Sequence, residues 1–482
     1  MTVEPKTGSQ SLAHWAHQTP HAIAVIEGGY RYTYADLAGL VVRMAKHLAA
    51  LGLPPGSIAG IECSSRYIHF VLILACECLG LTTISFVTTE LTADNDLLSR
   101  CAVLYSEGPF KLPHSVPLTL DLIVSVAQTP IAPDDFGALH FQPAADAGGR
   151  IVKTSGTTGK QKCMHNSPVT IERIVQASEA ISDGLGTSYD FLCLYQFTMR
   201  PTYVGSVLAL RFGRTVVFST IADFRRELEA IGGGHTILLP GDAADLCEAF
   251  SGQARPAAKC GVHVDGGALG PGLRRKLLET FAYRVRNNYS MNETNYVAMV
   301  DEDNIGTVLS DAAVRIIGDD GHEKPMGETG RITVRTARMT RGYLWDEALT
   351  AKHFVDGWHI TGDLGFQPEA NQLVVVGRAD DMLNIGGIKL PPQPIEAEIR
   401  TFDGVRDAVL LGVENAHGLL ELHVVVERSD PGQDADLERL IRPLIHRYSR
   451  GFVGHYQDSL PRTQTGKVRR AALIAMIEAQ SD

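Results

Sequence analysis

The stretch KTSGTTGKQKCMHNS, from Lys153 to Ser167, gathers glycines, hydroxyls and lysines with no acid among them. Gly156 and Gly159 permit close backbone approach to an anion, and the hydroxyls of Thr154, Ser155, Thr157 and Thr158 can donate to phosphate oxygens. Lys160 and Lys162 add positive charge. The loop of a nucleotide hydrolase, G-x-x-x-x-G-K-[ST], is excluded. Its glycine spacing is absent, and Gln161 stands where a metal-binding hydroxyl would follow the lysine. Taken alone, the segment reads equally well as a surface turn. Three more segments could share its chemistry. NNYSMNE (287–293) sets the carboxylate of Glu293 behind an aromatic residue. GWHITGDLG (357–365) carries Asp363, and PRTQTGKVRR (461–470) carries Lys467 on a glycine-containing loop. A lone Glu or Lys in such a setting is usually solvated, and a lone Gly-Asp is usually a turn.

Together, these segments resemble the signatures of the adenylate-forming superfamily, which comprises acyl-CoA synthetases, luciferases and the adenylation domains of peptide synthetases. The first loop is similar to [ST]SG[ST]TGxPKG, with Gln161 and Cys163 in place of the usual Pro and Gly. NNYSMNE resembles xxYGxTE, with Ser290 and Asn292 replacing its glycine and threonine. GYLWDEALTAKHFVDGWHITGDLG (342–365), GRADDMLNIGGIKLPPQPIEAEI (377–399) and PRTQTGKVRR match three further signatures in the family's order. Weaker echoes are YTYADL (32–37) and VDGGAL (264–269).

The resemblance implies a site for ATP and Mg2+, and attack of a carboxylate on the α-phosphorus. Two anions must then be brought together, so their charge has to be neutralised and their geometry fixed. Thr154 to Lys160 would cover the phosphates, and Glu293 would hold the metal ion, since magnesium favours carboxylate and phosphate oxygen. Tyr289, with Asn288 beside it, would offer an aromatic face to adenine, while Gly266, Gly267 and Ala268 let backbone approach the ring edge. Asp363 would accept from the ribose hydroxyls, and Arg378 would reach ribose or phosphate. Lys467 would bridge the acid and the phosphates, serving adenylation alone. Asp380 falls at the family's hinge position, and Gly386 and Gly387 would line the path of a pantetheine thiol in a second orientation.

Members that activate amino acids place an aspartate after a phenylalanine to pair with the ammonium. Here YQFTMRPTYVGS (195–206) has Thr198 after Phe197, which points to a fatty, aryl or other non-amino carboxylic acid. Phe197, Arg200, Thr202, Tyr203 and Gly205 are the candidates for its pocket. Arg200 reads either as a surface ion pair or as a group facing a second carboxylate or a phosphate. Coenzyme A is the expected acceptor, because KLPPQPIE resembles the acyl-CoA ligases. The phosphopantetheine arm of an acyl carrier protein is the alternative. A catalytically inactive binding protein is a third reading, opposed by the joint presence of Glu293, Asp363 and Lys467.

The elements that must position these residues are legible in outline. At 482 residues the chain exceeds one ordinary core. Apolar β-rich runs such as AIAVIE (22–27), SIAGIEC (57–63), RTVVFST (214–220) and HTILLP (235–240) alternate with amphipathic stretches such as LVVRMAKHLAALG (40–52). That alternation predicts an α/β class: stacked α/β subdomains and, from about residue 304, a β-rich subdomain with Gly/Asp turns. Residues 1–378 are expected to form a large N-terminal domain holding ATP and acid. Residues 379–482 are expected to form a small, mobile α+β lid carrying Lys467. The chain is short for the family between residues 95 and 150. FVLILACECLGLTTISFV (70–87) predicts a buried helix and a strand, with no membrane span. A net charge of −11 argues against a nucleic-acid partner. Eight cysteines in a chain of this length read as buried thiols rather than a disulfide framework. MTVEPKTGSQ lacks the pattern of a secretory leader, so a cytoplasmic location is expected.

Overall fold

The computed structural model describes residues 6–92, 95–108, 114–141, 147–154, 161–385, 388–414, 420–446, 449, 451–462 and 468–481. Two large sheets organise the first 378 residues. The six-stranded sheet runs in the order Ser115–Pro117, Val103–Ser106, Ile58–Glu62, Thr82–Ser85, Gly149–Thr154 and Lys162–Asn166. It is parallel except for the last pair. In the second sheet, Ile23–Glu27, Val216–Phe218, Phe191–Cys193, Gly233–Leu238, Lys259–Val264 and Ala282–Met291 lie side by side and parallel. Ala282–Met291 then pairs antiparallel with Asn295–Val300. The strand carrying Asn288 and Tyr289 is therefore where the sheet changes from parallel to antiparallel.

The predicted strands and helices fall where the pattern placed them, with one difference. The β-rich segment after residue 304 makes no separate sheet. Gly306–Val308 pairs with both Asn295–Val300 and Gln372–Arg378, so the antiparallel strands continue the second sheet. This continuity carries Asp363 and Arg378 to the end of the strand bearing Tyr289.

Helices fill the space between the sheets. Arg66–Glu77 is buried from Arg66 to Cys76, which explains the apolar run from Phe70 to Cys76. Tyr34–Ala49 and Arg200–Arg211 join it in one core that includes Ile61 and Tyr105 of one sheet and Val25 and Phe218 of the other. No helix among the described residues is long and apolar enough to cross a membrane. All eight cysteines are buried and unpaired.

The C-terminal residues build a core of their own. The strands Val405–Glu414, Leu420–Arg428 and Val453–Gln457 form a three-stranded sheet, flanked by helices Pro392–Ile399, Asp434–Ile445 and Arg470–Ser481. Ile395, Ile399, Leu410, Val424, Leu437 and Ile441 pack together within it. It meets the rest of the chain where Gly270 and Gly272 lie against Ala397 and Thr401, and where Arg406 reaches Glu248 at 3.4 Å.

Two of the acid-pocket candidates are packed into the core. Thr202 is fully buried, its Oγ1 donating to the Gln196 carbonyl at 3.0 Å. Gly205 packs against Phe191, where an added Cβ would lie 2.5 Å from the ring. Gly205→Ala is therefore expected to destabilise the protein by about 1–3 kcal/mol through overpacking, read as a lowered Tm.

Candidate active site

Two paired strands flank the phosphate-type segment. Gly149–Thr154 and Lys162–Asn166 pair antiparallel, with Thr154 opposite Lys162. Ser155, Gly156, Thr157, Thr158, Gly159 and Lys160 lie outside the described residues. A Walker-type loop leads from a strand into a helix, whereas this one returns as a second strand, so the exclusion made from glycine spacing holds in the backbone. The base of the hairpin is anchored on Glu90. Lys153 Nζ donates to one carboxylate oxygen and Gln161 Nε2 to the other at 2.7 Å. Gln161 thus has a partner of its own. Cys163 is buried beside Ile151 and Leu104.

Three strands converge on the nucleotide side. Tyr289 Oη donates to Asp363 Oδ2 at 2.6 Å, and Arg378 Nη1 reaches Asp363 Oδ1 at 3.4 Å. Asp363 and Arg378 are direct cross-strand partners, which accounts for their spacing in the sequence. A Cβ on Gly362 would run into the Arg378 guanidinium, so the glycine of TGD is needed for this pairing. Thr361 Oγ1 accepts from the Asp363 amide at 3.0 Å and donates to the Ile332 carbonyl at 2.8 Å, fixing the turn. Burial pushes the Asp363 carboxyl above the usual aspartate range, opposed by Tyr289 and Arg378. Burial and the neighbouring carboxylate push the Tyr289 phenol well up, so it remains a donor.

Gly266, Gly267 and Ala268 are exposed just past the end of Lys259–Val264, with Gly266 at a φ of 79°. Beneath them Asn288 Nδ2 donates to Asp265 Oδ1 at 3.0 Å. Asn288 Oδ1 and Asp265 Oδ2 are buried acceptors that meet no donor among the described residues.

Glu293 sits between the strands Ala282–Met291 and Asn295–Val300. Tyr343 Oη donates to its Oε1 at 2.9 Å, and the Thr340 amide binds its carbonyl at 2.9 Å. Tyr343 is held in turn by Thr350 Oγ1, which accepts from its amide at 2.9 Å. The residues that depart from the family signature are also engaged. Asn292 Nδ2 donates to the Lys153 carbonyl at 3.3 Å, and Ser290 Oγ lies 3.5 Å from Arg200 Nη2. Sequence reasoning passed over Tyr343, although the GY of its segment was the available signal.

A cavity opens between the hairpin strands and the helices Pro168–Asp183 and Arg200–Arg211. Phe197, Arg200 and Tyr203 line it, with Arg150, Lys153 and Ile174. No Asp or Glu lines it among the described residues. Arg200 is part-buried and makes no ion pair among the described residues; its Nη1 donates to Asn295 Oδ1. Arg150, which the sequence did not single out, is only 5% exposed. Its Nη1 donates to Thr83 Oγ1 at 3.1 Å, and its Nη2 donates to Ser85 Oγ at 3.0 Å and the Phe197 carbonyl at 3.1 Å. Lys467, Gly386 and Gly387 lie outside the described residues. Asp380 is exposed, its carboxylate 3.9 Å from Arg378 Nη2.

The chain matches the AMP-binding enzyme family over residues 12–95 and 142–344, and belongs to it. It is 25% identical to a 2-succinylbenzoate–CoA ligase of Bacillus licheniformis, covering 96% of this chain and 98% of that one. It is 27% identical to a 3-[(3aS,4S,7aS)-7a-methyl-1,5-dioxo-octahydro-1H-inden-4-yl]propanoyl:CoA ligase of Mycobacterium tuberculosis, covering 97% and 98%. Its fold matches the o-succinylbenzoate CoA synthetase of Bacillus subtilis, solved with an acyl-adenylate, at a TM-score of 0.77 and 21% identity over 98% of both chains.

Proposed function

We propose that the chain activates a carboxylic acid lacking an α-amino group, at the expense of ATP, and transfers the acyl group to coenzyme A. The observation that carries this reading is the Tyr289–Asp363–Arg378 cluster beside the exposed Gly266–Ala268 backbone. Each Asp363 oxygen has spare lone pairs for a ribose hydroxyl. The buried Asn288 Oδ1 suits the amine of adenine, which is a donor without a partner in water-free surroundings.

The acid's carboxylate oxygen bonds to the α-phosphorus, and the bond from that phosphorus to the bridging oxygen breaks, releasing pyrophosphate. The thiol sulfur then bonds to the acyl carbon as AMP leaves, and the thiol proton passes to solvent. The chain's part is to hold the two anions together and exclude water. In this reading Thr154 to Lys160 and Lys467 would neutralise the phosphates, and Arg378 would meet the nucleotide. Residues 379–482, with a core of their own, would serve as a lid turning about Asp380. Turning the lid would bring Gly386 and Gly387 to the thiol path. The CoA ligase names of the relatives favour coenzyme A over a carrier protein.

Glu293 suits a magnesium ion. Among the described residues no cluster of three or more acidic, His or Cys groups could hold a metal by itself, and magnesium is usually held by one or two carboxylates together with substrate phosphates. When bound, the ion would neutralise phosphate charge. Tyr343 orients the carboxylate that would hold it, so Tyr343→Phe is expected to raise the Mg2+ concentration for half-maximal activity about tenfold or more. A magnesium titration at saturating ATP checks this.

The whole reaction is tested by product analysis. With the correct acid, mass spectrometry should find AMP, pyrophosphate and acyl-CoA in equal amounts. ADP and phosphate in their place would refute the mechanism.

A further inference from the structure

Resting on that reading, we infer that the acid substrate carries a second, non-reacting carboxylate, and that Arg200 binds it. The cavity wall holds three cations and no acidic side chain among the described residues. Lys153 has its counter-ion in Glu90. Arg150 is tied to three neutral oxygens, and its ring neighbour Tyr203 passes a hydrogen bond on to Glu77, so it belongs to the wall. Arg200 differs. Its Nη1 is engaged by the neutral Asn295, its Nη2 has only the 3.5 Å contact with Ser290, and its Nε is buried with no partner.

The Nε–Nη2 edge of a guanidinium is one of the two edges that bind carboxylate bidentately. A buried donor without a partner is costly, and a buried cation without a counter-ion more so. Among the described residues no acid lies within ion-pairing distance of Arg200. The buried Asp265 feels its charge from further off, and Asp265 keeps its own hydrogen bond to Asn288. Tyr296, stacked 5.2 Å from the guanidinium, holds the fork in place.

The reacting carboxylate cannot be the partner this edge is built for. Adenylation turns that group into the acyl half of a mixed anhydride, whose remaining negative charge sits on the AMP phosphate, so a fixed cation at the former carboxylate would lose its partner as the reaction proceeds. A spectator carboxylate keeps its charge throughout, and its binding energy can be used to position the reacting end.

The test pairs dicarboxylic acids, aliphatic with three to eight carbons and aromatic, each with its own monomethyl ester. Acid-dependent pyrophosphate–ATP exchange is measured for the wild type, Arg200→Met and Arg200→Lys. For the best pair the free diacid should exceed its half-ester by about 10- to 100-fold in kcat/KM. That ratio should collapse in Arg200→Met and fall to an intermediate value in Arg200→Lys, which keeps the charge but not the fork. Half-esters or simple monocarboxylates that match or beat the diacids would overturn the inference and leave the proposed function standing. A diacid preference untouched by Arg200→Met would overturn it equally. If no acid supports exchange, the proposed function fails, and calorimetry of the same pairs decides this point. Binding of diacid over half-ester that depends on Arg200 supports it, and equal binding overturns it.

Discussion

Lys467→Ala is expected to lower acid-dependent pyrophosphate–ATP exchange by about 10²–10³-fold, while thioester formation from supplied acyl-adenylate and coenzyme A persists. In the first half-reaction negative charge gathers between the incoming carboxylate and the departing pyrophosphate. A preorganised ammonium there stabilises the transition state more than either ground state. In the second half-reaction the carboxylate is already esterified and pyrophosphate has gone, so the same ammonium has nothing to bridge. The loop carrying Lys467 is clamped at its base: Arg462 pairs across to Val468, and Arg462 Nη2 reaches Glu427 at 2.6 Å and Asp407 at 2.9 Å. Truncating Lys467 removes none of these contacts and should leave that frame intact. Measuring both half-reactions on one preparation separates this from a folding defect. Equal loss of both would contradict a lid that uses two orientations.

Asp363→Ala should have the next largest effect, raising the KM for ATP about 100-fold or more. The substitution removes the acceptor for the ribose. It also strips Tyr289 Oη and Arg378 of the carboxylate that orients them. Asp363→Asn keeps the shape but not the charge, and should fall between. The pH dependence has a definite sign. Burial raises the Asp363 carboxyl above the ordinary aspartate range, so acidification protonates it sooner than an exposed aspartate. ATP binding should therefore weaken on the acid side at a higher pH than an ordinary aspartate would give. Asp363→Asn, having no proton to gain, should lose that limb of the profile. A KM for ATP unchanged in Asp363→Ala would remove the ribose role.

The segments that carry Asp363, Arg378, Tyr289 and Glu293 were legible because each is short and locally distinctive. Tyr289 and Asp363 lie within strands, Arg378 ends one and Glu293 sits in the turn between two. What brings them together was less legible. Tyr289 meets Asp363 across 74 residues and Tyr343 meets Glu293 across 50, through sheet pairings that no local pattern announces. The candidates for the acid pocket divide. Phe197, Arg200 and Tyr203 line the cavity, but their helix neighbours Thr202 and Gly205 turn into the core. On a helix, residues one and two apart face different ways, and the apolar runs around them did not reveal which face met the strands. Arg150 went unnoticed because a lone arginine on a strand gives no sign of burial.

Acid-dependent pyrophosphate–ATP exchange in the absence of coenzyme A tests the central claim most directly. With labelled pyrophosphate and a broad panel of non-amino carboxylic acids, at least one acid should drive label into ATP, and chelating Mg2+ should stop it. No exchange with any acid on the panel, by protein that still binds ATP, would contradict the account.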